Sequence, residues 1–412
     1  MNNDIDTSNQ TEELKARVQE YIDEISPMLL EISRTIHANP ELAFEEYESM
    51  ALLADTAERH GYSVDRGVAG LETAFVATSA GTEPGPTVAL VAEYDALPGL
   101  GHACGHNIIG TAATGAALAL QALRSELPGT FKLVGTPAEE RGGGKVIMVE
   151  RGVFDGIDAA MMIHPGTKAM TTRGTLASNK VEFEFFGQSA HAAATPDQGI
   201  NALDACIQTF NNINALRQHL TPDVRIHGII THGGDAANIV PAYTAASFSV
   251  RASTSERAFE VLQKVIRCAE AGAMAAGATV EYKHLNHYAN RIANPTMARL
   301  FGDNIGPLGE NVQEPLPDER MGSSDMGNVS QVVPAIHPYV VIADPGVSGH
   351  TPEFAAAAVS PRGDAALLRA AKAMAMTAVA LLTQPETMAQ VQQEFAETID
   401  FDAAWRKQRF FS

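Results

Sequence analysis

His102, Cys104 and His106 fall within five residues, in the stretch AEYDALPGLGHACGHNIIG (Ala92–Gly110). A thiolate and imidazoles on a glycine-rich turn can supply several metal ligands from one short loop. Three further clusters carry the same kind of side chain: TPAEERGGGK (Thr136–Lys145), MMIHPG (Met161–Gly166) and SGHTPEF (Ser348–Phe354). Together they offer Cys104, His102, His106, Glu139, Glu140, His164 and His350, enough nitrogen, oxygen and sulfur donors for two metal ions. A two-metal site can hold water as hydroxide between the ions and polarise a carbonyl at the same time. One of the paired glutamates can then ligate while its neighbour serves as general base. Each piece also has a plainer reading. A single Cys is often a small buried hydrophobe, paired glutamates a solvated turn, and a strand-end His a hydrogen-bonding core residue. The glycine triplet Gly142–Gly144 could cradle a phosphate, but it lacks the Walker spacing and the terminal Ser/Thr.

The elements that must position these residues are legible as periodicity. Thr11–Asn39 reads as a helix that Pro27 kinks or divides, and Ser49–His60 reads as a second helix ended by Gly61. Glu72–Thr78, Thr87–Ala92 and Phe131–Thr136 read as strands, with a helix over Ile108–Leu123 between the last two, and Asp158–Ile163 is a further apolar run. The expected fold is α/β, a mixed, mostly parallel sheet flanked by helices. Ligands gather at the carboxyl ends of strands in such sheets, and the loop of His102–His106, the Glu139–Glu140 pair and His164 each follow a strand-like run.

From Thr171 the pattern changes to strand Lys180–Phe186, helix Gly199–His219, strands Arg225–Thr231 and Tyr243–Ala252, helix Ser255–Ala276 and strand Thr279–His284. This β-α-β-β-α-β order is that of a ferredoxin-like α+β unit. It divides the chain into a metal-binding catalytic domain, 1–175 and 292–412, and an inserted domain, 176–291. The returning segment should contribute strand Tyr339–Ala343 and a last helix, Pro361–Thr383.

Composition narrows the function classes. The chain has 412 residues, 45% hydrophobic and 19% charged, and a net charge of −20. That charge argues against nucleic acid as a partner. Three cysteines (Cys104, Cys206, Cys268) are too few and too scattered for a disulfide framework, which points to a reducing compartment. With no signal-peptide pattern at the polar, acidic start and no membrane span expected, the expected location is the cytoplasm.

The motifs HxNPELAFEE (His37–Glu46), EYDALPGLGHACGHN (Glu93–Asn107), GTPAEE (Gly135–Glu140), His164-Pro165, GQSAHAA (Gly187–Ala193) and GHTPEF (Gly349–Phe354) occur in order over most of the chain. This series resembles the aminoacylase and glutamate carboxypeptidase family of dinuclear metallohydrolases. It is closer to the amidohydrolase branch, with hippurate and indoleacetyl-amino-acid hydrolases. The run AEERGGGK looks most like the group of aminobenzoyl-glutamate hydrolases and β-alanyl-lysine dipeptidases. The resemblance implies that Cys104, His106, Glu140, His164 and His350 are metal ligands, with the thiolate between the ions. It implies Glu139 as general base and excludes His102 as a ligand. Where other branches carry His-x-Asp, this chain has Glu93-Tyr94-Asp95. A ligand His is thus missing there, and Asp95 is left to orient a ligand from behind. The inserted domain becomes a lid and dimerisation domain. Within it, His191 would stabilise the oxyanion across a homodimer interface, and Asn238 and Arg251 would bind substrate, an arginine fork suiting a carboxylate.

The expected activity is hydrolysis of the amide bond in N-acyl amino acids, aminobenzoyl-glutamate-like compounds or dipeptides. The expected cofactors are two divalent ions, zinc first, with manganese, cobalt or nickel compatible with the donor set. Two other readings stand beside it: a non-catalytic metal-binding platform on the same scaffold, and a cysteine hydrolase pairing Cys104 with His102 or His106. Neither nucleic acid nor membrane is expected as a partner.

Overall fold

A computed structural model describes residues 2–316, 319 and 321–400. In chain order the elements are α1 (Asn2–Ala38), α2 (Tyr47–Arg59), β1 (Ser63–Arg66), β2 (Phe75–Ala80), β3 (Thr87–Glu93), α3 (His106–Ala122), β4 (Thr130–Thr136), α4 (Gly144–Glu150), β5 (Ala159–Met161) and β6 (His164–Gly166). Then come β7 (Ala177–Phe186), α5 (Ala202–Leu216), β8 (Arg225–His232), β9 (Tyr243–Ala252), α6 (Ser255–Ala276) and β10 (Thr279–Tyr288). The chain continues through α7 (Pro295–Ile305), α8 (Met326–Ser330), β11 (Ala335–Ile336), β12 (Tyr339–Val341), α9 (Pro352–Ala357), α10 (Pro361–Thr383) and α11 (Pro385–Asp400). It divides into two compact units, residues 1–174, 291–321 and 328–412 in the first and 175–290 with 322–327 in the second.

The first unit is built on a six-stranded sheet in the order β1-β2-β4-β3-β5-β11. Strands β4, β3, β5 and β11 run parallel, whereas β2 pairs antiparallel with both β1 and β4. β3 is an apolar run, buried from Val88 to Glu93, as expected of a strand covered on both faces. α3 packs against β3 on one side and α1 and α10 on the other. Its small residues allow that density, for a Cβ on Gly115 would come within 2.7 Å of Leu29. α10 is long and apolar enough to cross a membrane, but 78% of that stretch is buried inside the protein, so its apolar surface is core.

Of the two effects expected of Pro27, a kink or a division, division does not occur: α1 runs through it unbroken. The proline has no N–H for the carbonyl of Asp23, and the Ser26 hydroxyl donates to that carbonyl instead, at 2.8 Å. Apolar α1 residues Leu14, Val18, Ile22, Leu29, Ile32 and Ile36 stay on one buried face. Nor is Pro361–Thr383 the last helix, because α11 follows it.

The second unit has the order β7-α5-β8-β9-α6-β10 and a four-stranded antiparallel sheet, β10-β7-β9-β8. Alternate residues of β7 and β9, among them Val181, Phe183, Phe185, Phe248 and Val250, form a core with Val261, Leu262, Val265 and Ile266 of α6. The helix expected from Gly199 begins at Ala202, because the Asn201 side chain accepts from the backbone N–H groups of Leu203 and Asp204 and caps it. Residues 322–327 were expected with the first domain but belong to this unit. The Gly322 carbonyl accepts from Leu176 N at 2.8 Å. Gly327 passes so close to Ala289 that a Cβ would lie 1.9 Å from its carbonyl oxygen.

Candidate metal centre

Three adjacent parallel strands deliver the chemistry of the first unit to one sheet edge. β3 ends at Glu93 and runs on to Asp95 and the His102–His106 loop, β4 ends just before Glu139 and Glu140, and β5 leads to His164. Gly105 lets these loops close up. It has φ +80°, and a Cβ there would come 2.8 Å from Pro165, the neighbour of His164. The fourth loop is fastened to the first, since the backbone N–H of His350 donates to the Ala103 carbonyl at 2.9 Å. Ala138 and His350 both sit in the left-handed region, at φ 60° and 63°, a strained conformation for non-glycine residues. The Ala138 N–H is held by the buried Glu46 carboxylate at 2.9 Å. The glycine triplet serves the turn into α4, for a Cβ on Gly144 would fall 2.0 Å from the Pro137 carbonyl oxygen.

Two donor groups result. Cys104, His106 and His164 form one, and Cys104, Glu140 and His350 form the other, the ligand atoms of each lying within 4.8 Å of one another. Cys104 is common to both. Cys104 Sγ and His164 Nε2 are 3.5 Å apart, and His350 Nε2 and Glu140 Oε1 are 3.3 Å apart. Tetrahedral ligands of one ion, at the usual zinc bond lengths, would be separated by about 3.5 Å for a sulfur–nitrogen pair and about 3.3 Å for a nitrogen–oxygen pair. Among the described residues, the buried His106 Nε2 makes no hydrogen bond, as a metal-directed donor should not. The residues therefore fit a pair of divalent ions.

The tautomers agree. His164 Nδ1 donates to the Pro165 carbonyl at 2.7 Å, leaving Nε2 with its lone pair toward Cys104. His106 Nδ1 donates to the Asp95 carbonyl and to Asp95 Oδ1, at 2.8 and 3.0 Å, so its Nε2 also faces the site. Asp95 Oδ2 accepts from Glu140 N at 2.9 Å. One buried carboxylate thus ties a residue of each group from behind, as orienting groups around metals do.

Burial, then the charge of His106, pushes His164 down to about 3, so this imidazole is neutral and able to ligate. Burial alone would lower His106, but Glu93, Cys104 and Asp95 together hold it well above the usual histidine value. The hydrogen bond to Glu140 raises His350. Burial raises the Cys104 thiol, opposite to what a cysteine nucleophile needs and of no consequence once a metal displaces the proton.

Glu139 stands in a third group with Glu93 and His106 and in neither of the groups that share Cys104. His102 is in none of them. It is buried, 6.1 Å from the His37 ring centroid, and burial pushes it down to about 3. His191, Asn238 and Arg251 belong to the second unit. There the loops of His191 and Asn238 pair, Ala192 N donating to the Asn238 carbonyl at 3.0 Å. His191 Nδ1 accepts from Ala193 N and Ala194 N, both at 3.2 Å, which leaves its Nε2 as the donor. Arg251 is half-buried on β9 with Nε donating to Ser249 Oγ at 3.4 Å.

Two buried pairs escaped the reading of the sequence. Lys145 of α4 donates to Glu93 Oε2, both side chains almost fully buried. Arg291 donates to His337 Nδ1, and the His337 ring lies 5.4 Å from that of His164. A lysine behind a glycine run and an unassigned histidine were their only sequence signals.

A strand-edge centre of this composition, on this fold, defines a metal-dependent hydrolase of amide or peptide bonds. The chain belongs to Peptidase family M20/M25/M40, whose model matches residues 89–379. It is 38% identical over 397 residues to the Xaa-Arg dipeptidase of Mus musculus, covering 93% of this chain and 92% of that protein. It is 34% identical over 300 residues to one of the subunits of the p-aminobenzoyl-glutamate hydrolase of Escherichia coli K12, covering 68% of this chain and 62% of that protein. Among solved structures, the aminobenzoyl-glutamate utilization protein of Klebsiella pneumoniae superposes with a TM-score of 0.72 at 20% identity, over 90% of this chain and 99% of that one. A Bacillus subtilis protein described as a dinuclear metal binding peptidase of the M20 family gives 0.66 at 22% identity, over 87% and 99%. These two likenesses show the fold. Family membership sets aside the reading as a non-catalytic platform.

Proposed function

We propose that the protein is a dipeptidase or N-acyl amino acid hydrolase that works with two divalent ions, zinc being the first candidate for its donor set. The observation that carries this reading is the pair of donor groups meeting at Cys104, with Glu139 beside them in neither group. When bound, the ions would supply Lewis acidity and an acidified water. Cys104, His106 and His164 would hold one, and Cys104, Glu140 and His350 the other. Glu139 takes the proton of the attacking water and passes it to the leaving amine. The Nε2–H of His191 donates to the oxyanion, where a preorganised donor contributes most, and Asn238 and Arg251 bind the substrate's polar groups, the arginine taking a carboxylate.

Similarity to the Xaa-Arg dipeptidase along nearly the whole chain favours a dipeptide over a longer acyl substrate. Xaa-Arg dipeptides are thus the first to assay, with the β-alanyl-lysine type beside them and aminobenzoyl-glutamate and N-acyl amino acids as the comparison arm. We further propose a homodimer in which the second unit acts as lid and supplies His191 across the interface. Glu139→Gln should abolish turnover, on the order of a thousandfold, with the metal content of the parent. A variant as active as the parent would remove Glu139 from its role. Mixing inactive Glu139→Gln and His191→Ala protomers should restore part of the activity if the histidine acts in trans, and none if it acts within its own chain.

A further inference from the structure

Glu93 is the last residue of β3, and its side chain is 1% exposed. Lys145 of α4, fully buried, donates to Glu93 Oε2. The other oxygen, Oε1, lies 3.0 Å from His106 Nε2. Because His106 Nδ1 already donates to Asp95, Nε2 is the atom turned toward Glu93, and a divalent ion set between Nε2 and Oε1 would take the place of the proton that the metal-free imidazole carries. Donors bonded at right angles to one ion at about 2.1 Å stand about 3.0 Å apart. The Glu139 carboxylate is the third member of this group.

We propose that Glu93 is a metal-contacting carboxylate of the dinuclear centre, and that Lys145 is a positioning residue that leaves it one oxygen for the ion. The inference rests on the dinuclear reading above and adds to it a ligand and a counter-ion. Charge supports it. Glu93, Asp95, the Cys104 thiolate, Glu139 and Glu140 are five anions, and Lys145 is a fixed cation among them. The four negative charges that remain are what two divalent ions neutralise. A purely structural ion pair would do no such work. Buried pairs of that kind roughly break even against apolar replacements, and removing one leaves metal affinity alone.

The test loads full-length protein with Co²⁺ and reads stoichiometry, affinity by chelator competition, and the visible d–d spectrum. In the parent, two ions bind. Glu93→Gln should bind one of them at least tenfold more weakly, with a changed d–d band. Lys145→Met should keep both ions but change band intensity, as the carboxylate gains use of its second oxygen. Should Glu93→Gln fold poorly because Lys145 is left buried, the double variant Glu93→Gln/Lys145→Met removes both charges and should show the same weakening. Two Co²⁺ bound within threefold of parental affinity, with an unchanged spectrum, in a folded Glu93 variant overturns the proposal. An unchanged spectrum in Lys145→Met overturns the positioning role of the lysine alone. Fewer than two ions on the parent would instead overturn the dinuclear reading.

Discussion

Asp95 is the residue through which the two donor groups feel each other, and replacing it with Asn changes two contacts and one charge without changing size. In the parent, Oδ1 accepts from His106 Nδ1 at 3.0 Å and Oδ2 from Glu140 N at 2.9 Å. An asparagine offers one oxygen for these two donors, so its NH₂ must face a donor whichever way it flips. The flips are not equivalent. His106 Nδ1 keeps a second acceptor in the Asp95 carbonyl at 2.8 Å, whereas Glu140 N relies on the side-chain oxygen. The amide oxygen should therefore stay with Glu140 and the NH₂ turn toward His106. What is lost is the carboxylate charge behind the imidazole and one charge-assisted bond, worth ~1.5–3 kcal/mol. That corresponds to a roughly 10- to 100-fold loss in metal affinity, felt first at the ion held by His106. In a chelator-competition titration, Asp95→Asn should bind one ion near parental affinity and the other in that weaker range, with activity largely recovered at saturating metal. Affinities within threefold of the parent at both sites would refute the argument that Asp95 orients the centre.

Cys104→Ala removes the donor that both groups share, and elemental analysis should show both ions weakened; full occupancy of both would exclude the shared-ligand geometry. Metal uptake should release protons, because His106 and His350 are held above the usual histidine value and the thiol is raised by burial; apparent affinity should therefore rise with pH through the neutral range, and a pH-independent affinity would contradict it. Glu46 is raised from 4.5 to about 7 by burial and by the charge of Asp95, so the folded metal-free protein binds its proton more tightly than the unfolded chain. Its contribution is lost as pH climbs from about 4.5 through 7, on the order of 3 kcal/mol in all; denaturant melts of Glu46→Gln should show a flatter stability profile over that window than the parent.

What could be read in advance follows a physical division. A parallel strand buried on both faces leaves a continuous apolar run, and a loop at its carboxyl end leaves a cluster of donors, so β3, β4 and their loops were legible with Cys104, His106, Glu139 and Glu140. Strand direction was not, because β2 carries the same alternation whichever way it pairs. The tolerance of α1 for Pro27 depended on one hydroxyl, that of Ser26, reaching one orphaned carbonyl. The deepest omission concerned charge. Nothing local distinguishes Lys145 from a surface lysine at a helix start, and Glu93 read as the place where a ligand histidine was missing. Only folding brings α4 behind β3, and a lysine and a glutamate become a buried pair 3.0 Å from a metal-directed imidazole. Periodicity reports which face of an element is covered, whereas the electrostatic balance of a centre belongs to several elements at once. The acidic excess around Cys104 is a mutual property of β3, β4, α3 and α4. It explains why this pocket should hold its cations tightly although no single loop within it carries a complete ligand set.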